Sequence, residues 1–400
     1  MADKEHLGRR EFIKNAVLTG AAVGVAGAGL DAEKARGQET KAAEGIPRKE
    51  LGSTGVKVPI LQQGTAQSLN QRYDRVLHLL YKEGVTAFDT ALSYGWGSSH
   101  RAIKNFIGQI KERQNLWLTS KSGAEDPQRF MKAADQALEE LGVDSLDLFL
   151  MHGIDDLEML RPEMLAAGEK LRKSGKIKFF GFSCHDDDVV ALMHHAAKVG
   201  GIDAILFRYN FRRYGQAELN RAMDACKKAG IGLMAMKTNG GVSAREEKVV
   251  QFQSKNFTLD QAKLKAVWAD DRIDTIVSEM DSTKVARENI SAARSPKSLT
   301  AAEMHQLNRL AALTAHLACQ GCASFCQTAA GRPVAIADTL RFLSYHEAYG
   351  DTGRARRLYG KLPDAKRNWQ EVDLAAASAA CPQGIDIAGR IALADQLLMS

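Results

Sequence analysis

The chain carries no stripe of clustered Lys and Arg, and its net charge of +6 is modest and partly confined to the first fourteen residues. That excludes the electrostatic footprint a nucleic-acid partner needs. It also lacks a stable membrane span: the one uncharged run near the start, residues 16–30, is short and rich in Ala and Gly. No GxGxxG turn follows the first strand-like run, where the sequence reads QQGTAQ, which counts against an open, doubly wound dinucleotide fold. Cysteine is scarce, and four of the six fall after residue 315, which sets the last quarter of the chain apart.

What the start does contain is Arg9-Arg10 with Phe12 and Lys14, followed by that uncharged run. The pattern resembles a twin-arginine signal, an address read by export machinery and not a part of the fold. The resemblance implies a signal within residues 1–37, a polar linker over 38–46, the twin-arginine machinery as a partner and a periplasmic or otherwise exported location. AGA at 26–28 and ARG at 35–37 are both plausible cleavage points.

From Pro47 to about Arg294, strand-like and helix-like runs alternate. The strand-like runs begin with VKVPILQQG and VTAFDTA and end with IDTIVSEM, and the intervening amphipathic runs close on Gly84, Gly142, Gly175, Gly200 and Gly230, as helix C-caps do. Eight strands each followed by a helix in about 250 residues are the count and length of a closed (β/α)8 TIM barrel. A chain of 400 residues, 45% hydrophobic, can bury that core and still leave a small second module. The expected domains are a barrel over 47–315 and a helical domain over 316–400.

Three consecutive strand-like runs, FDTALSY, WLTSK and LDLFLMH, each end in polar side chains: Asp89 with Tyr94 just beyond it, Lys121, and His152. On neighbouring parallel strands these four gather at one rim of the barrel, where such folds keep their chemistry. A phenol is a poor acid at neutral pH, but an ammonium beside it favours the phenolate. In this arrangement Lys121 lowers Tyr94, Asp89 holds Lys121, and His152 donates a hydrogen bond to a substrate carbonyl.

Type, order and placement of the four resemble the aldo-keto reductase superfamily. The resemblance implies an oxidoreductase moving a hydride between NAD or NADP and a small carbonyl or alcohol, with Tyr94 as general acid/base. It also implies cofactor contacts at Ser183, Tyr209, Asn210, Lys237, Glu279, Glu288 and Asn289. The chain departs from the family pattern at Cys184 and Leu206, and strand seven, with Met236 and Lys237, offers no aromatic to stack on a nicotinamide ring. Glu279 and Val285 stand where NADP-preferring members place basic residues, so NAD is favoured, although Lys284 and Arg287 lie close. Trp96 either lines the substrate pocket or packs its loop. Arg208, Arg212 and Arg213 read as a surface patch, with anion binding as the other option.

Cys319, Cys322 and Cys326 form CxxCxxxC, and Cys381 is followed by Pro382. Four thiolates so grouped suit zinc or an iron–sulfur cluster. The Cys-Pro ending resembles a ferredoxin-like module and implies one 4Fe-4S cluster on Cys319, Cys322, Cys326 and Cys381; zinc and disulfide pairing are the alternatives. A cluster is inserted before export, which agrees with a route for folded cargo. A cluster moves one electron and a hydride two, so it is either structural or served by a redox partner. Two other functions remain open on these residues. One is a non-redox sugar-processing enzyme that abstracts protons with the same tetrad; the other is a non-catalytic iron–sulfur carrier or scaffold.

Overall fold

A computed structural model describes residues 45–370 and 372–399. The twin-arginine stretch, both cleavage points and the linker up to residue 44 lie outside the described residues. An antiparallel hairpin comes first, β1 (Arg48–Glu50) and β2 (Lys57–Pro59). Eight parallel strands then close into a barrel: β3 (Leu61–Gly64), β4 (Ala87–Asp89), β5 (Trp117–Ser122), β6 (Leu146–Met151), β7 (Ile177–Cys184), β8 (Ala204–Arg208), β9 (Gly232–Met236) and β10 (Thr275–Ser278). They are ordered in space as in sequence, with β10 pairing to both β9 and β3. The run VKVPILQQG, expected as one strand, is divided at Ile60 between hairpin and barrel. Pro59 has no N–H to give a central ladder.

A helix follows each barrel strand: α1 (Arg75–Lys82), α2 (Ser98–Ile110), α3 (Pro127–Leu141), α4 (Pro162–Lys173), α5 (Val189–Val199), α6 (Ala217–Lys228), α7 (Leu259–Trp268) and α8 (Thr283–Arg294). The five glycines read as helix caps all have positive φ, the backbone region that glycine enters without steric penalty. Strand residues alternate between two cores. Ala87, Trp117, Leu148, Leu150, Leu206, Met234 and Val277 fill the barrel interior, with Leu51 and Val58 of the hairpin joining them. Phe88, Leu118, Phe149, Phe182 and Phe207 face the helices. Each such buried side chain stabilises by about 1.5–3 kcal/mol, so a one-residue slip on any strand would exchange the two cores at prohibitive cost.

Beyond the barrel, α9 (Ala301–Leu313) starts at a Thr300/Glu303 capping box and packs on α7. A module of short helices follows: α10 (Ala323–Ala329), α11 (Ile336–Glu347), α12 (Thr352–Gly360), α13 (Leu374–Ala379) and α14 (Ile387–Leu398). It has two small cores of its own, one around Leu340 and Ile391, the other around Leu343 and Tyr359. The three arginines expected as a surface patch are internal braces instead. Arg208 donates to the carbonyl of Cys319 at 2.8 Å, Arg212 donates to Ala311 O and Thr314 Oγ1 at 3.1 and 2.7 Å, and Arg213 is buried against Asp187. Arg208 thereby ties the module to the end of β8, Arg212 ties the end of α9, and Arg213 stays within the barrel. Among the described residues no helix is long and apolar enough to cross a membrane.

Candidate active site

Strand period alone determines which residues reach the mouth. Ala87, Trp117, Leu148, Leu206, Met234 and Val277 point inward. Counting by twos from them gives Asp89, Lys121, His152, Arg208 and Glu279 at the C-terminal rim. Tyr94 follows β4 on a turn in which Gly95, Trp96 and Gly97 all have left-handed backbone, φ 54, 56 and 78°. The four expected catalytic side chains are thereby brought to one place. Lys121 Nζ donates to Asp89 Oδ1 at 2.5 Å and to the Thr90 carbonyl at 2.8 Å, and lies 5.0 Å from the centre of the Tyr94 ring. The Tyr94 and His152 rings meet edge to face at 5.7 Å.

The electrostatics differ from the sequence expectation in one respect. Lys121 is committed to Asp89 and Thr90 and approaches the face of Tyr94, so the Tyr94 phenol is not lowered. Burial and the Asp89 charge raise it well above the ordinary tyrosine value. Burial likewise raises Asp89 and lowers Lys121, each offsetting the other's penalty. His152 is driven down to about 3 by burial and by the charges of Lys121, Arg341 and Arg354. At neutral pH the site therefore presents a protonated phenol and a neutral imidazole, both able to donate to a carbonyl oxygen.

These groups open onto a cleft of about 830 Å³ between the barrel rim and the helical module, within the range of small-molecule and cofactor sites. Lys237 and Glu279, both expected at the cofactor, line it. Lys237 has a left-handed φ of 60°, a strained conformation of the kind that collects at ligand sites. The other expected cofactor residues are engaged elsewhere, and among the described residues none of them lines the cleft. Tyr209 has the outward parity of Phe207, and its hydroxyl donates to Asp270 at 2.6 Å in the outer layer. Ser183 Oγ accepts the Gly153 N–H at 2.9 Å. Asn210 donates to the Lys237 carbonyl at 3.1 Å, steadying the strained turn. Asn289 donates to Ser278 Oγ at 3.0 Å, and the Glu288 carbonyl accepts from Gln261. Trp96 is 68% exposed under Lys361 and is not among the residues that line the cleft.

Sequence reasoning missed the residues that complete the cleft. His185 and Gln67 line it, each with a buried polar atom, Nδ1 and Oε1, that has no protein partner; Asp89 Oδ2 is a third. His185 directly follows the strand-end run GFSC, so the rule that found His152 would have found it. Arg341, Tyr345 and Arg354 come from α11 and α12 of the module, and nothing local in the sequence points them at the barrel. Arg354 holds Glu279 through both carboxylate oxygens, at 3.1 and 2.9 Å. Glu279, expected as a free charge that favours NAD over NADP, is instead paired with Arg354.

The four clustered cysteines line one small cavity in the module, walled by Leu340, Pro382, Ile385 and Ile387. All six cysteines are free, so no disulfide joins them. Burial pushes the Cys322 and Cys326 thiols up to about 12 and about 11. A single zinc ion needs four sulfurs about 3.8 Å apart. Among the described residues no three His, Cys, Asp or Glu side chains converge as ligands of one ion.

The model of the aldo/keto reductase family matches residues 60–312, ending before the first clustered cysteine. L-galactose dehydrogenase from Arabidopsis thaliana is 23% identical over 291 residues, covering 64% of this chain and 90% of that protein. Among solved structures, the holo form of an aldo-keto reductase from Bacillus halodurans superposes with a TM-score of 0.57 at 20% identity, covering 66% of this chain and 96% of its own. An aldo-keto reductase from Klebsiella pneumoniae in complex with NADPH gives 0.53 at 22% identity over 66% of this chain and 95% of its own.

Proposed function

Because the chain belongs to the aldo/keto reductase family, we propose that it is an exported oxidoreductase that moves a hydride between a nicotinamide nucleotide and a carbonyl or alcohol of the sugar class. The convergence of Asp89, Tyr94, Lys121 and His152 at the barrel rim carries this reading. Tyr94, held protonated, donates to the carbonyl oxygen; neutral His152 donates a second hydrogen bond to it; the Asp89–Lys121 pair fixes the floor beneath them. The dehydrogenase of L-galactose among the relatives supports a sugar.

The residues present fit a nicotinamide nucleotide: the cleft is large enough, and the unpartnered Gln67 Oε1 and His185 Nδ1 await a polar ligand. Lys237, Glu279 and Gln67 would hold it, and when bound it supplies the hydride acceptor or donor. Either NAD or NADP is accommodated, since Arg354 neutralises Glu279 and Arg357 and Lys361 lie along the same wall. The gathering of Cys319, Cys322, Cys326 and Cys381 at one cavity supports a cluster. Four thiols line one apolar space, and a cubane spreads its ligands more widely than a zinc ion does. Cys319, Cys322, Cys326 and Cys381 would hold a 4Fe-4S cluster, which supplies a one-electron couple or a structural cross-link. Export is supported by Arg9-Arg10 and the uncharged run after them.

The test is to denature protein recovered from the periplasm and measure released nucleotide, iron and sulfide. NAD or NADP with about four irons per chain is expected. Metal without nucleotide, and none bound when supplied, would end the hydride reading and favour an electron-carrier or scaffold role. Cys381→Ser should lose the iron, and Arg9-Arg10→Lys-Lys should leave the protein in the cytoplasm.

A further inference from the structure

A second, smaller space of about 30 Å³ lies between the ends of β8 and β9 and the helical module. It shares Lys237 and Arg341 with the catalytic cleft, and Cys319 and Gln320 with the cysteine cavity. Four cations wall it, Arg208, Lys237, Arg341 and Arg390, and no carboxylate lines it. Arg341 is paired with Asp338 and Arg390 with Glu347. Arg208 donates to the Cys319 carbonyl and Lys237 lies over the Tyr345 ring, and among the described residues neither forms an ion pair. Asp186, whose charge acts on both Arg208 and Arg341, lines the cleft and not this space.

Three buried polar atoms of these lining residues have no protein partner: the donors Arg208 Nε and Arg341 Nε, and the acceptor Gln320 Oε1. Arg208 is 6% exposed and Gln320 3%. Buried polar atoms in folded proteins are almost always satisfied, so three at one small space mark a ligand position. From this arrangement we propose that the space is an oxyanion site which takes a phosphate group carrying one O–H, either the free ion or the monoester of a ligand seated in the cleft.

The donor set selects the charge and the acceptor selects the proton. Arg208 Nε and Arg341 Nε donate to anionic oxygens, and guanidinium groups suit phosphate in both charge and shape. Gln320 Nε2 donates to the Ala318 carbonyl at 3.0 Å, which fixes the amide's orientation and leaves Oε1 as the free atom. An amide oxygen repels an anionic oxygen and accepts only from a hydroxyl, so the ligand must bring an O–H as well as a charge. Sulfate carries no such proton, and neither does the diphosphate bridge of a nucleotide. The volume holds more than one water-sized group but not a sugar ring, so a sugar phosphate would leave its ring in the cleft.

The test is calorimetric titration of the full-length protein with inorganic phosphate, and separately with sulfate, at constant ionic strength and about pH 6, where a phosphate monoester still holds its second proton in part. Saturable binding of one phosphate is expected, with sulfate weaker by about tenfold or more. Arg208→Met should weaken phosphate by about ten- to a hundredfold. Gln320→Leu should leave phosphate bound and erase its preference over sulfate, which keeps the test decisive if Arg208→Met unseats the module and fails to fold. Glucose 6-phosphate that displaces phosphate where glucose does not would identify an ester held from the cleft; phosphate that binds without competition from the ester would identify the free ion. No saturable phosphate binding, sulfate bound as tightly as phosphate, or titrations unchanged in both variants would each overturn the proposal. Binding requires neither turnover nor nucleotide, so it is judged apart from the dehydrogenase reading.

Discussion

Lys121 and Asp89 are both almost fully buried and answer each other's charge. Such a pair contributes little net stability, yet removing one partner is expensive because the other is stranded. Lys121→Met should therefore destabilise the protein by about 3–5 kcal/mol, read as a fall in the denaturation midpoint. Asp89→Asn with Lys121→Met together should recover much of that loss, and a single variant as stable as wild type would mean that Asp89 is neutral in the fold. Tyr94→Phe tests chemistry at the same scale. It removes a donor and leaves the ring against Lys121 and His152, so turnover should fall by about 10²–10⁴ while equilibrium nucleotide binding persists. Retained turnover would remove Tyr94 from the mechanism.

Among the elements, β7 and β8 are held unusually close at Gly181, where an added Cβ would stand 1.9 Å from the Ala204 carbonyl oxygen. The ladder through Gly181 and Ala204 carries Ser183 and Leu206 to the rim. Gly181→Ala should cost about 3 kcal/mol, the upper end for overpacking, and calorimetry would show it as a lowered Tm. Wild-type stability would mean that the two strands can part without harm. Arg354 of α12 holds Glu279, the residue just after β10. Arg354→Met frees a carboxylate beside the cleft, so affinity for NADP should drop more than affinity for NAD, measured by titration of each nucleotide. Equal losses would place Glu279 away from the 2′-phosphate.

The molecule as a whole depends on two imidazoles that stay neutral between barrel and module. Burial and the surrounding cations hold His152 at about 3 and His185 well below the ordinary histidine value. The folded pKa is the lower one, so the unfolded chain takes up protons first as pH falls. Their contribution is complete above about 6.5 and is lost progressively as pH drops toward 3. Melting temperature should decline over that window, earlier than carboxylate protonation alone would produce, and His185→Gln should blunt the decline. A flat profile from pH 6.5 to 4 would show that both rings are already solvated.

The sequence by itself determined the barrel, because eight alternations of period 2 and period 3.6 with glycine caps have one compact solution, and it determined the rim, because parity along β4, β5 and β6 delivers Asp89, Lys121 and His152 to one end. Parity also explains the miss at Tyr209, which shares the outward phase of Phe207, and Pro59 explains the first strand's division. The grouping of four cysteines in one module was legible from spacing alone. Only the tertiary structure decided what that module does to the barrel. Arg341, Tyr345 and Arg354 lie more than sixty residues beyond β10 in the chain, yet they form one wall of the cleft, and Arg354 pairs with Glu279. Docking of one folded surface on another is set by shape and by braces such as Arg208 on the Cys319 carbonyl, and neither periodicity nor motif spacing encodes it.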